Sequence, residues 1–127
     1  RYWEARNPRL RVCIENPRGH LRHLAVMKPF HRVTVKYSEY GWPIHKPTDL
    51  FTNFELTLPP PPVLKRSPRI IRVGSEPGWR KALREALGDG SASQSQAVLL
   101  GRIPPELVRQ VLTAMARSAK QETRVSR

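Results

Sequence analysis

An acid, an amide and a proline stand together where the first alternating apolar stretch of the chain ends. Residues 10–14 alternate in character, and Glu15-Asn16-Pro17 follows directly. A carboxylate in such a place accepts hydrogen bonds, moves protons and can hold a polar substrate. The same residue type also serves as a turn former or as a solvated surface group. The position alone leaves an active-site acid, a turn residue and a surface acid open.

Other side chains suited to chemistry are sparse. His20 and His23 are three residues apart, and Cys13 is the single cysteine. A structural zinc site takes four ligands, usually in closely spaced pairs, so these residues predict no metal site. The cysteine lies inside the alternating stretch, where a packing role is typical, and its solitary occurrence excludes an internal disulfide. The sequence also lacks a glycine-rich phosphate loop.

Charge is the strongest compositional signal. The 127 residues include 23 lysines and arginines against ten acidic residues, which gives a net charge of +13. Because a positive surplus attracts polyanions, it predicts a nucleic-acid partner, and DNA is favoured. The alternative is that the charge only keeps the protein soluble. An intracellular location, in a nucleus or nucleoid, fits that partner and the lone cysteine. No apolar run reaches the ~18–20 residues of a membrane helix, so no membrane partner is expected.

The first half of the chain has the pattern of short strands, and the length fits one domain. Alternating apolar or β-branched residues predict strands over 10–15, 32–37 and 50–58. A short helix is predicted over 20–28, and a short strand or extended arm over 69–73. On the first strand the apolar side chains share one face, with the cysteine on the other.

Prolines and helical repeats dominate the second half. Residues 59–62 are four prolines, which favour an extended polyproline segment that cannot join a sheet. A helix is predicted from Ser75 to Gly88, followed by a flexible loop over 89–96. The strongest helix pattern, over 103–121, begins at two prolines and repeats apolar residues at intervals of three and four. These residues are Leu107, Val108, Val111, Leu112 and Met115.

Three stretches of the sequence resemble motifs of one protein family and occur in the same order as in that family. LRVCIENPRGHL resembles the strand and turn of cytosine-5 DNA methyltransferases, where an apolar strand runs into Glu-Asn-Val, then a glycine and a leucine. YSEYGWPIHKPTDLFTNF is similar to the family's Tyr-Gly-x-Pro segment, and GRIPPELVRQVL to its terminal Gly-Asn-x-Val-Pro-Pro-x-Leu segment. A divergent adenine-methylating relative is an alternative. Such enzymes use Asp-Pro-Pro or Asn-Pro-Pro with an aromatic residue, whereas Asn16-Pro17 precedes Arg18-Gly19 here.

The resemblance implies a partial Rossmann-like methyltransferase fold of the α/β class, with few strands and a C-terminal helix. Residues 1–58 would belong to the catalytic domain and residues 59–96 to a reduced target-recognition region. Residues 97–127 would form a helix that returns to the cofactor domain. Because the chain begins without methionine, we expect a piece of a longer protein whose N-terminal methyltransferase segment is its partner.

The resemblance also implies roles for individual residues. Glu15 matches the family's acid, which hydrogen-bonds N3 and the exocyclic amine of an extruded cytosine and stabilises charge during methyl transfer. Asn16 and Pro17 would fix the turn that aims this acid. The expected contacts to the target base and phosphates are Arg18, Arg22, Tyr40 and Lys46. The candidate contacts to S-adenosylmethionine, the implied cofactor, are Gly101 and Arg102.

Several features of the family are missing from the sequence. It has no Phe-x-Gly-x-Gly cofactor loop and no Pro-Cys nucleophile, and Cys13 lies in the wrong stretch to replace that cysteine. We therefore expect a methyltransferase fragment that is inactive alone. Whether the chain is part of an active enzyme stays open. One alternative is a non-catalytic basic nucleic-acid-binding module, supported by the proline-rich arm and by Trp3, Tyr40 and Trp42. The other is an inactive remnant.

Overall fold

The structure is a computed structural model that describes residues 5–87, 95 and 100–125. Its strands are β1 (Cys13–Pro17), β2 (His31–Lys36) and β3 (Pro47–Thr52). Two longer helices follow, α1 (Trp79–Leu87) and α2 (Pro105–Val125). Short 3-10 turns cover His20–His23, Ala25–Met27 and Tyr37–Tyr40. No helix in the described part of the chain is long and apolar enough to span a bilayer.

The three strands form one sheet in the order β1-β3-β2. Because β3 is antiparallel to both neighbours, β1 and β2 run parallel to each other on either side of it. Leu50 lies in the middle of the sheet, opposite Glu15 on one side and Val33 on the other. The sheet and the two helices give the described chain an α/β character, with antiparallel pairing throughout its strands.

The main core packs one face of the sheet against α2. Tyr37 is 0% exposed and Leu107 is 1% exposed, and Val35, Leu50 and Val111 are buried with them. These side chains alternate along the strands and repeat every four residues along α2, as burial on one face requires. A second cluster joins α1 to the loop before β3 and consists of Ile44, Ile71, Leu83 and Leu87.

The strands β1 and β3 have other bounds than the predicted strands, and Asn53 explains the later start of β1. Its Oδ1 accepts a hydrogen bond from Val12 N at 2.9 Å, and its Nδ2 donates to Leu10 O at 2.7 Å. The side-chain amide thus replaces backbone pairing at the start of the stretch, and the ladder begins only at Cys13. β3 begins earlier than predicted, at Pro47, because a strand tolerates proline at its first residue.

The apolar residues of the first strand do not face the main core. Cys13 packs against that core, and Glu15 shares its face because side chains alternate along a strand. Ile14 lies on the opposite face, paired with Phe51, which is only 2% exposed. The sheet is therefore covered on both faces, and the predicted apolar face of β1 is the one turned away from α2.

The crossover from β1 to β2 is not the predicted helix over 20–28 but two 3-10 turns. Leu24, between the turns, has φ −76° and ψ 137°, an extended conformation that interrupts helical hydrogen bonding. Met27 is buried, whereas Leu24 is 39% exposed and Val26 is 68% exposed. The segment therefore lacks the continuous apolar face that would stabilise one packed helix.

Both predicted helices of the second half are present, with shifted ends. α1 begins at Trp79 rather than at Ser75. The predicted helix end and loop over 88–96 lie almost wholly outside the described residues. α2 begins at Pro105, where the fixed φ of proline suits a first helical turn, and it continues to Val125, beyond the predicted end.

Candidate functional site

Glu15 is held by a buried tyrosine. Tyr37 follows β2, is 0% exposed, and donates a hydrogen bond from its hydroxyl to Glu15 Oε1 at 3.0 Å. Burial, together with the nearby Glu15 charge, raises the pKa of Tyr37 above its ordinary value. The phenol therefore keeps its proton and remains a donor, which fixes one carboxylate oxygen of Glu15 as an acceptor.

Lys46 contacts the ring of the same tyrosine. Its ammonium lies 5.0 Å from the centroid of the Tyr37 ring, within the range of a cation–π contact. The ammonium also donates a hydrogen bond to Leu100 O at 2.5 Å. Lys46 has a φ of +32°, which is uncommon for a residue other than glycine. Neighbouring contacts hold such strained backbone in place, and it marks this loop as a functional candidate.

The structure packs the three stretches that carry the family resemblance into one body. Tyr40 is buried, and its hydroxyl donates to Gln110 Oε1 on α2 at 3.2 Å. Leu107, near the start of α2, lies in the same core as Tyr37 and Tyr40. The end of β1, the loop over 40–48 and the start of α2 are thus mutually positioned by buried contacts.

Asn16 and Pro17 do not form the predicted turn but are the last two residues of β1, where they pair with Asp49 and Thr48 of β3. The side-chain amide of Asn16 donates to Pro17 O at 2.9 Å, and Arg18 N donates to Pro47 O at 2.8 Å. Both hydrogen bonds fix the backbone immediately after Glu15. The Arg18 side chain is exposed just after β1, and its contact with a phosphate stays a prediction.

Arg22 is not brought to the site. Its Nε lies 3.1 Å from Asp49 Oδ2, and its Nη2 donates to Asp49 Oδ1 at 3.3 Å. The Asp49 side chain is only 1% exposed and also accepts a hydrogen bond from Thr34 Oγ1 at 2.7 Å. Because side chains alternate along β3, Asp49 lies on the opposite face from Leu50 and therefore from Glu15. The guanidinium of Arg22 is thus engaged in a buried ion pair on the far face of the sheet.

Gly101 and Arg102 do not form a cradle for S-adenosylmethionine in the described part of the chain. A Cβ added at Gly101 would meet no atom of a described residue within 4 Å, so none of these residues closely approaches this backbone. Arg102 donates from Nη1 to Leu87 O and ties the end of α1 to the segment before α2. The pair therefore joins two helices, and it offers no enclosed slot for an adenosyl group.

Tyr37 belongs to this site but was not among the residues predicted for it from the sequence. The sequence pattern identifies Tyr37 only as the last residue of a predicted strand. The available signal is the alternation of Val33, Val35 and Tyr37, which places the ring on the buried face. A buried tyrosine hydroxyl needs a hydrogen-bond partner. Since Leu50 pairs with both Val33 and Glu15, the strand register brings the acid to the same face as the ring.

Cys13 lies on the same strand as Glu15 but contributes packing. Burial, together with the Glu15 charge, raises the pKa of its thiol, which keeps it protonated and weakly nucleophilic. Within the described ranges, no group of three or more His, Cys, Asp or Glu side chains is placed to hold a metal ion. The arrangement presents an oriented carboxyl group in the middle of an edge strand. No known protein family, curated protein or solved structure matches the chain.

Proposed function

We propose that this chain is the C-terminal part of an S-adenosylmethionine-dependent DNA (cytosine-5) methyltransferase-like protein, in which Glu15 holds the target base. The hydrogen bond between Tyr37 and Glu15 carries the proposal. It occupies one acceptor position on Oε1, and because a carboxylate has about four such positions, both oxygens can still bond a ligand. An acid oriented by a buried donor on an edge strand suits the recognition of a polar base edge.

At the level of the fold, the three-stranded sheet and the two helices are compatible with a partial α/β fold. Because similarity of fold does not specify a reaction, the functional proposal depends on Glu15 rather than on the sheet.

Glu15 would bind the base and stabilise charge. Cytosine presents N3 as an acceptor and its exocyclic amine as a donor, so the carboxyl group must carry or share a proton to bond both. When a thiolate adds to C6, negative charge develops on the ring and reaches N3. A proton shared between Glu15 and N3 stabilises that charge. Tyr37 keeps its own proton and therefore acts as a positioning residue for the acid.

The thiolate and the cofactor loop would come from a preceding segment of a longer protein. Cys13 is unsuited to the nucleophilic role because it packs against the main core and its pKa is raised by burial. S-adenosylmethionine would supply the methyl group when bound to that segment. This chain would contribute the base-holding acid and the helix α2 that packs behind it.

Among the described strands, β1 is at the edge of the sheet, and this edge offers a place for such a segment. Arg18 N bonds Pro47 O, so hydrogen bonding to β3 falls on the even-numbered residues of this antiparallel pair. The backbone groups of Cys13 and Glu15 consequently point away from β3, towards the open edge. A strand added there would pair with β1 and lie beside the acid.

A non-catalytic nucleic-acid-binding module is the second candidate. The net charge of +13 supports both candidates, because phosphate binding depends on charge and not on base chemistry. They differ in the use of Glu15. A module that contacts phosphates has no need of an acid beside a base, whereas a methyltransferase-like chain discriminates between bases through that acid.

Base selectivity tests the proposal. We expect the chain to bind a duplex with a cytosine opposite an abasic site more tightly than the same duplex with thymine there, since an unpaired base is extruded at little cost. Glu15→Ala should remove most of this preference, because it removes both the donor to N3 and the acceptor for the exocyclic amine. Each hydrogen bond contributes about 0.5–1.5 kcal/mol, so the loss of both corresponds to roughly a ten-fold or larger change in Kd. Fluorescence anisotropy at one salt concentration measures both duplexes.

Glu39→Ala is the matched control. Glu39 is exposed in the 3-10 turn after β2, and its substitution makes the same change of charge away from the Glu15 carboxyl. The control should keep the preference for cytosine. Equal binding of both duplexes by the unmodified chain, or a preference that survives Glu15→Ala, would contradict the methyltransferase proposal and favour the binding module.

A further inference from the structure

One face of α2 carries basic side chains that make no ion pair with any residue that the structure describes. Arg117, Lys120 and Arg124 are all exposed, and we define them as the basic face. We infer that the basic face binds the phosphate backbone of duplex DNA. The inference rests on the proposed function for the choice of DNA as the ligand, but its residues lie outside the Glu15 site.

The spacing of these residues suits a line of phosphates. Intervals of three and four residues place their side chains on one side of the helix. At about 1.5 Å of rise per residue, Arg117 and Arg124 are separated by roughly 10 Å along the helix axis. Phosphates on one DNA strand advance by about 3.4 Å each, so the basic face spans about three phosphate steps.

The acids of α2 do not neutralise the basic face. Glu106, in the first turn, pairs with Arg109. Glu122 pairs with Arg11, which also donates from Nε to Ser118 Oγ at 2.9 Å and so fastens the C-terminal half of the helix to the approach to β1. Arg117 has no ion pair with any residue that the structure describes. The charge of the basic face is therefore available to an anionic partner.

A cleft beside the basic face supplies an uncharged donor. It has a volume of about 520 Å³ and lies between α2 and the extended residues 55–59. Gln121 lines it next to Arg117, and amide side chains commonly bond phosphate and sugar oxygens. The hydroxyl of Thr113, which also lines the cleft, donates to Arg109 O at 2.9 Å. Glu55 lines the opposite wall, so the cation-bearing wall of the cleft is the one formed by α2.

The side chains expected from the sequence to bind nucleic acid are largely occupied elsewhere. Arg22 is paired with the buried Asp49, Lys46 with Leu100 O, and the Tyr40 hydroxyl with Gln110. Arg117, Lys120 and Arg124 have no such partner among residues 5–87, 95 and 100–125. Their positive charge is complementary to the phosphates of DNA.

The salt dependence of DNA binding tests this inference in the full 127-residue chain. Each phosphate contact contributes about 0.9 to the slope of log Kd against log salt concentration. The triple substitution Arg117→Gln, Lys120→Gln and Arg124→Gln should therefore lower the slope by about 2 to 3 for a 20-base-pair duplex. Circular dichroism checks that the helix content of the variant is unchanged.

A second triple variant controls for net charge. Lys28→Gln, Lys65→Gln and Arg66→Gln remove the same three charges from exposed positions on other segments. We expect this variant to change the slope by less than 1. Equal slopes for the two variants would overturn the inference, because attraction would then depend on total charge alone. Binding to phosphatidylserine vesicles through the basic face, with DNA binding unaffected by the substitutions, would overturn it as well.

The two proposals fail separately. Loss of cytosine preference depends on Glu15, whereas the salt slope depends on the basic face. If the chain prefers cytosine but the triple substitution leaves the salt slope of DNA binding unchanged, the proposed function stands and the basic face is not its DNA-binding surface. A chain whose slope falls as expected but that does not distinguish cytosine from thymine would bind DNA here without base recognition.

Discussion

Tyr37 donates a hydrogen bond to Glu15 across 3.0 Å, and the two residues belong to opposite edges of the sheet. Tyr37 follows β2, Glu15 lies on β1, and the central strand β3 separates them. The phenol therefore reaches over β3 on the face that packs against α2. This one contact couples the position of the acid to the main core.

We expect Tyr37→Phe to lower the free energy of unfolding by about 1–3 kcal/mol, because a half-buried carboxylate loses its donor. The loss should be smaller when Glu15→Gln is already present, since a neutral acceptor bonds the phenol more weakly. Urea denaturation of the two single variants and the double variant measures this coupling. In a Glu39→Gln background the cost of Tyr37→Phe should be unchanged; the same reduction there would show that the coupling is not specific.

Backbone strain at Lys46 predicts a difference between two truncations. Lys46→Ala and Lys46→Gly both remove the ammonium that contacts Tyr37 and Leu100 O. Only glycine relieves the φ of +32°, and left-handed backbone costs other residues roughly 1–2 kcal/mol. The glycine variant should therefore be more stable than the alanine variant by about 1 kcal/mol in thermal or urea unfolding. If alanine is equally stable, this φ does not store strain.

Removing one partner of the Arg22–Asp49 pair should strongly lower the free energy of unfolding. Asp49→Ala leaves a largely buried guanidinium without its partner, and such changes cost about 3–5 kcal/mol. Replacing both residues, Arg22→Met with Asp49→Leu, should recover much of this loss because no unpaired charge remains. Chemical denaturation compares the single and double variants. An Asp49→Ala cost below about 1 kcal/mol would contradict the burial of the pair.

The Cys13 thiol should react slowly with iodoacetamide in the folded chain. Its raised pKa reduces the thiolate fraction at a given pH, and the rate should continue to rise above the pH where an ordinary thiol has levelled off. Since the folded pKa exceeds the unfolded one, the folded state holds this proton more tightly. Stability from this group is therefore present below the unfolded pKa and declines as pH rises towards the folded pKa. Urea-unfolded chain provides the reference rate.

Several elements follow from residues that are close in the sequence. The repeat from Leu107 to Met115 behind two prolines predicts α2, and the alternating β-branched stretch over 32–37 predicts β2. Both signals are local, because helix and strand periodicities place neighbours three, four or two residues apart on one face. The excess of positive charge is likewise fixed by composition, and so is the lack of an internal disulfide.

The tertiary structure decided which side chains meet. Whether Glu15 faces Tyr37 depends on the register of β1 and β2 against β3, and a shift by one residue would turn the acid to the other face. Asn53 shortens β1 through contacts about forty residues away, and Asp49 withdraws Arg22 from the surface. Such contacts depend on the folded path of distant segments, so periodicity within any one segment cannot predict them.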